Sequence, residues 1–256
     1  MKKIISASIL SFMLVACGTT MAKNNKGSTT INVDNKDFQK MAAGEITASI
    51  RVTGSVDGSD TPTAEVSEKV SKITKATLSF FDSKMIIKNT YDLKKVDPGT
   101  KGEVMKFSAG YRPIPTDAVN FKLVLSSADN STTYESEYKG SVKEKTIYKI
   151  NGDLAQVSAK KDVTAPDKIT LTIDELKAES YVQGEFIYGM KAQMKEEDVK
   201  RLLEENGIKV TEIRKGILSS TVKFSEPSTA EALLIATKLN RFDYVEPNGI
   251  VSIIGF

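Results

Sequence analysis

Alternation of apolar and polar residues with a period of two is the feature that most limits the possible folds of this chain. In residues 46–52, isoleucine, alanine and valine alternate with threonine, serine and arginine, and residues 76–80 and 121–125 repeat the pattern. This period places one set of side chains on a buried sheet face and the other in water. Turn sequences such as Asp97-Pro98-Gly99 lie between such segments. Residues 44–174 are therefore predicted to consist of short β-strands.

The spacing of these strands predicts how they are arranged. Strand candidates recur through residues 44–174 with turn sequences between them and without a convincing long helix. About seven or eight short strands at such spacing are typical of an antiparallel β-sandwich of the immunoglobulin-like type. We expect this architecture, although the lack of a cysteine pair and of tryptophan leaves the family open.

After Asp174, the sequence changes from strands alone to strands that alternate with helices. Residues 184–190 are predicted to form a strand. Residues 195–206 place a valine and two leucines at i, i+3 and i+4, the spacing of a helix with one apolar face. A second helix is predicted to begin at Ser228, because Ser228 and Glu231 match a capping box and apolar residues follow at helical spacing.

Three more strands complete the C-terminal module. Residues 208–213 and 218–224 are predicted to form two of them, and the last is expected within residues 249–256. The order over residues 182–256 is then β-α-β-β-α-β, the ferredoxin-like arrangement, in which both helices cover one face of the sheet. The opposite face would remain open to water or to a partner.

Two motifs in this module are similar to motifs of a known family. Asn206-Gly207-Ile208-Lys209-Val210 joins the first helix to the next strand, and Tyr244-Val245-Glu246-Pro247-Asn248 lies near the end of the chain. Together with the element order around them, these motifs resemble the propeptides of subtilisin-like serine proteases, including the fervidolysin-type prodomain. The resemblance covers less than a third of the chain and does not extend to residues 44–174.

The resemblance implies a role in binding a protease. In that family the domain assists folding of the protease and inhibits it, with the open sheet face on two enzyme helices and the C-terminal tail in the substrate cleft. It implies that Glu246 caps the N-terminus of an enzyme helix, where free amides and the dipole favour a carboxylate. The tail residues implied to bind the protease are Ile253, Ile254, Gly255 and Phe256.

Each of these assignments has an alternative. The tail can instead form a last β-strand that packs on the module, and Glu246 can be an ordinary surface carboxylate. Because no protease domain follows Phe256 in this sequence, we expect the subtilisin-like serine protease to be supplied in trans. The chain could also be a truncated or split protease precursor.

The first seventeen residues have the pattern of a lipoprotein signal sequence. Lys2 and Lys3 precede a short apolar run that is well below the length needed to cross a bilayer. Leu14-Val15-Ala16-Cys17 resembles the lipobox of bacterial lipoproteins, and Cys17 is the only cysteine. The resemblance implies that a signal peptide, residues 1–16, is removed and that Cys17 is acylated.

The lipid chains would anchor the protein to the membrane. Residues 17–43 are rich in polar residues, so we expect a flexible tether between the anchor and the folded part. The resemblance to lipoproteins implies a location in the cell envelope. The residue after the cysteine is Gly18 and not Asp, which in many such bacteria accompanies sorting to the outer membrane, so we expect the outer membrane or cell surface and leave the leaflet open.

The composition excludes several classes of function. The 36 Lys and Arg residues nearly balance the 33 Asp and Glu residues, so no general basic field attracts nucleic acid. Histidine is absent, which excludes Ser-His-Asp and Cys-His catalysis and histidine-bound metals. A single cysteine likewise excludes multi-cysteine zinc sites. We find neither a nucleophile with a base nor a cofactor loop, and expect a protein without enzymatic activity or cofactors.

The acidic trio Glu196, Glu197 and Asp198 allows two interpretations. Three neighbouring carboxylates could bind a metal ion, but carboxylates in the first turn of a helix also stabilise the positive end of its dipole. We favour the dipole and expect no metal. The function that remains is a lipid-anchored protein that inhibits a protease or assists its folding. The alternative is a structural or adhesive surface lipoprotein that binds another protein.

Overall fold

The computed structural model describes residues 40–53, 71–96, 103–157, 168–190 and 194–250. Within these residues the protein is mostly β, with two sheets and two α-helices. None of the helices in the described part of the chain is long and apolar enough to cross a membrane.

Eight strands form the first sheet. They are β1 (Met41–Thr53), β2 (Ile73–Phe81), β3 (Ile87–Val96), β4 (Glu103–Pro115), β5 (Asn120–Ser127), β6 (Thr133–Lys139), β7 (Ile147–Val157) and β8 (Lys168–Glu175). Their order across the sheet is β6-β5-β2-β3-β4-β1-β7-β8. Neighbours are antiparallel except β1 and β7, which run parallel to each other.

Strand β3 joins the two halves of this sheet. Its residues 87–93 pair with β2, whereas residues 94–96 pair with β4. The two edge strands β6 and β8 also contact each other, so the sheet curves almost into a barrel around one apolar core. Phe80, Phe107 and Phe121 are fully buried in that core.

This arrangement differs from the predicted sandwich of two antiparallel sheets. The alternating segments do form strands, since residues 46–52 lie in β1 and residues 121–125 in β5. Strands β1 to β8 nevertheless belong to a single eight-stranded sheet, and one of its pairs is parallel. Alternation shows which face of a strand is buried, but it carries no information about which strands are neighbours.

The second sheet and both helices come from the C-terminal part of the chain. A 3₁₀ turn (Ala178–Ser180) precedes them. The elements are β9 (Tyr181–Met190), α1 (Glu196–Glu205), β10 (Val210–Lys215), β11 (Ser220–Phe224), α2 (Thr229–Leu239) and β12 (Phe242–Gly249). The strand order is β10-β11-β9-β12, and every neighbouring pair is antiparallel. The order of elements is the β-α-β-β-α-β order predicted from the sequence.

Local signals place both helices. The hydroxyl of Ser228 accepts a hydrogen bond from the Glu231 amide, and the Glu231 carboxylate accepts one from the Ser228 amide, so the predicted capping box is present. After α1, Gly207 adopts a positive φ of 87°, a conformation that glycine reaches without steric cost. Helix α2 buries most of its residues against the second sheet.

Strand β12 lies earlier in the chain than the strand predicted within residues 249–256, of which residues 251–256 are outside the described residues. Strand β12 contains the Tyr244–Asn248 motif, whereas the prediction placed a strand within residues 249–256. An irregularity between Phe242 and Tyr244 interrupts the alternation, which weakens the strand pattern in the sequence. Pro247 is compatible with this position because β12 is an edge strand of the sheet.

The two sheets belong to one compact unit. Ala43 of β1, Tyr111 of β4 and Ile147 of β7 are buried in the same apolar cluster as α2 and β9. Strand β1 begins at Met41, inside the segment that was predicted to be a tether up to residue 43. The interface between the sheets therefore combines residues of the predicted β-strand region with residues of the C-terminal module.

Candidate functional site

The second sheet meets the first sheet along its edge strand β12. Helix α2 contacts β1 and β4, and β12 contacts β4. Ala43 and Ile147 are completely buried in this contact, and Tyr111 is 7% exposed. Burial of these side chains removes apolar surface from water, which is the main source of stability for such an interface.

Two clefts lie on either side of this contact. The larger one, of about 480 Å³, is lined by residues of β3, β4, α2 and β12, with Asp92, Lys94 and Arg112 among them. The smaller one, of about 340 Å³, is lined by residues from β1, β4, β7, β9 and β12, and includes Glu246. The residue that the family resemblance singles out thus lies at the boundary between the two sheets.

Glu246 faces charged groups of the first sheet across the smaller cleft. Glu45, Tyr111 and Lys149 line the cleft together with Glu246. Burial raises the pKa of Glu246, and the carboxylate of Glu45 raises it further. Burial also raises the pKa of Tyr111, and the carboxylates of Glu45 and Glu246 raise it further. Glu246 is therefore an exposed residue that lies where the second sheet borders the first.

A neighbouring side chain closes the cleft on the side of the second sheet. The side-chain amide of Asn248 donates a hydrogen bond of 2.7 Å to Oε2 of Glu185, which is 6% exposed. A buried carboxylate needs such a partner because its desolvation is otherwise costly. The polar side chain of Asn248 in the motif is thus engaged in an intramolecular hydrogen bond.

The helix-covered face of the second sheet is an aromatic core. Phe186 packs against Tyr188 and Phe224 at centroid distances of 6.4 and 5.7 Å, and Tyr188 packs against Phe242 at 5.0 Å. The pairs Phe186–Tyr188 and Tyr188–Phe242 are edge-to-face, whereas Phe186 and Phe224 are tilted, and such aromatic pairs add about 0.5–1.5 kcal/mol each beyond the burial of their area. This core makes the second sheet a rigid platform for its other face.

The opposite face is polar and exposed on strands β10 and β11. Glu212 pairs in register with Lys223, and Arg214 with Thr221, so these side chains share the face that alternates with the core. The guanidinium of Arg214 donates two hydrogen bonds to Glu212, at 2.9 and 2.8 Å. The sequence predicted that one face of this sheet is not covered by helices, and in the structure its exposed part lies on β10 and β11.

The turn between β10 and β11 carries two exposed aliphatic side chains. Ile217 and Leu218 are 102% and 92% exposed. The sequence pattern had placed Leu218 in the strand, but β11 begins at Ser220, and the preceding residues form the turn. Adjacent exposed aliphatic residues are typical of contact surfaces. Sequence reasoning missed this feature because alternation continues through the turn.

The remaining predicted site residues lie outside the described residues. They are Cys17, Ile253, Ile254, Gly255 and Phe256. The chain can be followed to Ile250, whose amide donates a hydrogen bond to the carbonyl of Ser180 and whose side chain is half-exposed. The segment before the tail therefore leaves β12 beside the 3₁₀ turn.

The acidic trio at the start of α1 is involved in helix contacts. Asp198 forms an ion pair of 2.7 Å with Arg201, one turn further along the helix. Glu196 and Glu197 lie in the same first turn. Among the described residues there is no group of three or more His, Cys, Asp or Glu side chains placed to hold a metal ion.

Comparison with known protein families finds one match, in the C-terminal region. Residues 167–248 match the family model of the fervidolysin N-terminal prodomain. The match covers about a third of the chain, from the start of β8 to the end of the Tyr-Val-Glu-Pro-Asn motif. The chain thus contains a propeptide-like domain. No curated protein and no solved structure matches the chain.

The matched segment includes a strand of the first sheet. It begins at residue 167 and so contains β8, which pairs with β7. The C-terminal module was predicted to start at residue 182. The propeptide-like region and the eight-stranded sheet consequently share a strand, in addition to the apolar contact around Tyr111.

Proposed function

We propose that the propeptide-like domain binds a subtilisin-like serine protease in trans and inhibits it or assists its folding. The observation that carries this proposal is the match of residues 167–248 to the fervidolysin N-terminal prodomain. The β-α-β-β-α-β order and the strand order β10-β11-β9-β12 support the ferredoxin-like arrangement expected for such a domain. The protein itself is proposed to be non-enzymatic and to need no cofactor, metal or nucleic acid.

The contact with the protease is proposed to lie on the open face at β10 and β11. Glu212, Arg214 and Lys223 are exposed there, and Glu246 is exposed on β12, where the second sheet borders the first. The proposed role of Glu246 as a cap on an enzyme helix would require the cleft between the sheets to admit that helix. The tail, Ile253 to Phe256, is proposed to occupy the substrate cleft through backbone hydrogen bonds.

Inhibition of a purified subtilisin-like protease by the full chain tests this proposal. We expect Thr221→Arg on the open face to weaken inhibition, because the long side chain would separate the two surfaces. Lys200→Ala on the exposed side of α1 is the matched control and should leave inhibition unchanged. Deletion of residues 253–256 should also weaken inhibition. Equal inhibition by all four proteins would refute the proposed contact.

We further propose that the protein is a lipoprotein of the cell envelope, anchored through acylated Cys17 at the outer membrane or cell surface. The lipobox pattern and the position of the only cysteine support this proposal. Mass spectrometry of the protein purified from membranes should find acyl chains on residue 17. A protein cleaved elsewhere, or carrying an unmodified Cys17, would contradict it.

A second function is a structural or adhesive lipoprotein that binds another protein. The hydrogen bond from Asn248 to Glu185 favours it, because this motif position is then occupied within the chain itself. Absence of inhibition and of refolding assistance for several subtilisin-like proteases would support this second function over the first.

A further inference from the structure

An apolar tip projects from the first sheet at the turn between β2 and β3. Met85, Ile86 and Ile87 are consecutive and 57%, 57% and 60% exposed, and Val119 beside them is 37% exposed. We name these four residues the β2–β3 tip. Exposed aliphatic side chains that lie together in this way are typical of surfaces that contact a protein or a membrane.

The tip is held in place by its own turn. Oδ1 of Asp82 accepts hydrogen bonds from the amides of Lys84 and Ile86, at 2.8 and 2.9 Å. Met85 has a φ of 60°, which costs a residue with a Cβ about 1–2 kcal/mol. The apolar side chains are thus exposed by a hydrogen-bonded turn that keeps an unfavourable backbone conformation.

The tip lies at the end of the first sheet where the chain enters it. The amide and hydroxyl of Thr116 both donate to the carbonyl of Lys40, at 3.2 and 2.8 Å. In the same turn, the Val119 amide donates to the carbonyl of Phe81, which pairs in register with Ile87. Lys40, the residue that precedes β1, therefore lies at the same end of the first sheet as the tip.

Basic side chains surround the tip. Lys40 and Lys84 are exposed, and neither forms an ion pair with another described residue. Lys88 forms ion pairs with Asp117 and Asp82, at 2.7 and 3.7 Å. Aliphatic side chains with lysines beside them fit the interface of a bilayer that contains anionic lipids, because the apolar atoms enter the acyl boundary while the cations meet the headgroups.

We infer that the β2–β3 tip inserts into the interfacial region of an anionic lipid bilayer and orients the first sheet on the membrane. The inference rests on the proposed anchor at Cys17 for bringing the tip to the membrane, and on the contacts above for its position and chemistry. The second exposed apolar pair, Ile217 and Leu218, lies on the second sheet and is not part of this membrane contact.

Tryptophan fluorescence tests the inference directly, because the chain contains no tryptophan. Ile86→Trp places a single probe on the tip, and Leu218→Trp is the matched control on the other exposed turn. Each full-length variant is mixed with vesicles of phosphatidylethanolamine and phosphatidylglycerol. We expect the emission of Ile86→Trp to shift to shorter wavelength and to lose accessibility to iodide, and the emission of Leu218→Trp to stay unchanged.

The possible outcomes separate the inference from its alternatives. An unshifted Ile86→Trp, or a shift of Leu218→Trp alone, overturns the inference. If the emission of Ile86→Trp shifts at high protein concentration without vesicles, the tip contacts a second copy of the chain. This outcome also overturns the inference. Equal shifts on vesicles of neutral phosphatidylcholine overturn the part assigned to the lysines.

Two further measurements keep the result independent of folding and of the anchor. Circular dichroism checks each variant, and Ile87→Trp replaces Ile86→Trp if the latter does not fold. Mass spectrometry reports acylation of Cys17 separately. A shifted emission of Ile86→Trp together with an unmodified Cys17 supports the inference and refutes the anchor. An unshifted emission together with an acylated Cys17 refutes the inference and supports the anchor.

Discussion

Glu246 of β12 and Glu45 of β1 face each other across the cleft between the two sheets. The carboxylate of Glu45 adds to the effect of burial and raises the pKa of Glu246. The two residues belong to different sheets and are far apart in the sequence, so their repulsion exists only in the folded protein. The last motif of the propeptide-like domain is therefore coupled electrostatically to the first strand.

This coupling predicts how stability depends on pH. Because the pKa of Glu246 is raised above 4.5 in the folded protein, folding favours its protonated form and stability decreases as the pH rises through and above that value. Glu246→Gln removes this loss. We expect its melting temperature to exceed that of the wild type at pH 7 and to equal it near pH 4.

The effect should be small, about a few tenths of a kcal/mol, because solvent screens the exposed side of Glu246. Thermal denaturation of both proteins across this pH range is the measurement. Glu137→Gln on the exposed face of β6 is the control, and its melting temperature relative to the wild type should not change with pH in this way. A variant that is less stable than the wild type at pH 7 would show that Glu246 is held by an attractive contact instead.

The capping box of α2 predicts a second effect. Ser228→Ala removes the acceptor for the Glu231 amide and should cost about 1 kcal/mol. Ser228→Thr keeps the hydroxyl and should cost much less. Urea denaturation at pH 7 measures both values, and equal losses for the two variants would mean that the hydroxyl is not what stabilises the helix start.

The same box has its own pH dependence. Burial alone would raise the pKa of Glu231, but hydrogen bonds from Ser228 and Lys145 outweigh it, so the pKa is lowered. The stability that this carboxylate contributes is present above pH 4.5 and is lost as the pH falls through the lower value of the folded protein. We therefore expect the cost of Ser228→Ala to be smaller at pH 3 than at pH 7.

Close packing in the core of the first sheet predicts how much stability Gly152→Ala removes. A Cβ at this position would overlap Cδ2 of Leu123, which is 1% exposed and has little room to move. Gly152→Ala should therefore cost about 1–3 kcal/mol, the usual range for overpacking. Gly249→Ala is the control, because the nearest atom to its Cβ would be 4.0 Å away. Chemical denaturation compares the two, and a neutral Gly152→Ala would contradict the packing argument.

The position of Tyr111 between the two sheets predicts that they unfold together. Its side chain lies in the apolar cluster that joins them, so Tyr111→Ala should cost about 3–5 kcal/mol, as for other large aromatic truncations. We expect calorimetry to show one transition for the wild type and two for the variant. Tyr111→Phe keeps the ring and should retain a single transition. Two transitions in the wild type would show that the sheets are independent.

Elements that depend on short-range signals were predictable. The capping box at Ser228 and Glu231 located the start of α2, and the helical spacing of apolar residues located α1 as Glu196–Glu205. The alternation in residues 46–52 identified strand β1. Each of these signals acts within one or two turns or along one strand, so the residues that produce it are neighbours in the sequence.

Errors arose where a strand ends or where its neighbour is distant. Leu218 continues the alternation of β11, yet it is fully exposed in the preceding turn. Strand β1 pairs in parallel with β7, and the hydroxyl of Thr47 donates to Asn151, 104 positions away. No local pattern marks such a partner, because pairing depends on the shape of the complete sheet.

The amino-acid order alone decided the β-rich character of the chain, the two helices, and the propeptide-like sequence of the C-terminal region. These properties follow from periodicity and capping, which act between nearby residues. Only the tertiary structure decided that the first sheet closes almost into a barrel and that Glu246 faces Glu45. It also decided that Met85, Ile86 and Ile87 are exposed beside the point where the chain enters the fold. These relationships depend on burial and charge between distant segments, which exist only after the segments have packed together.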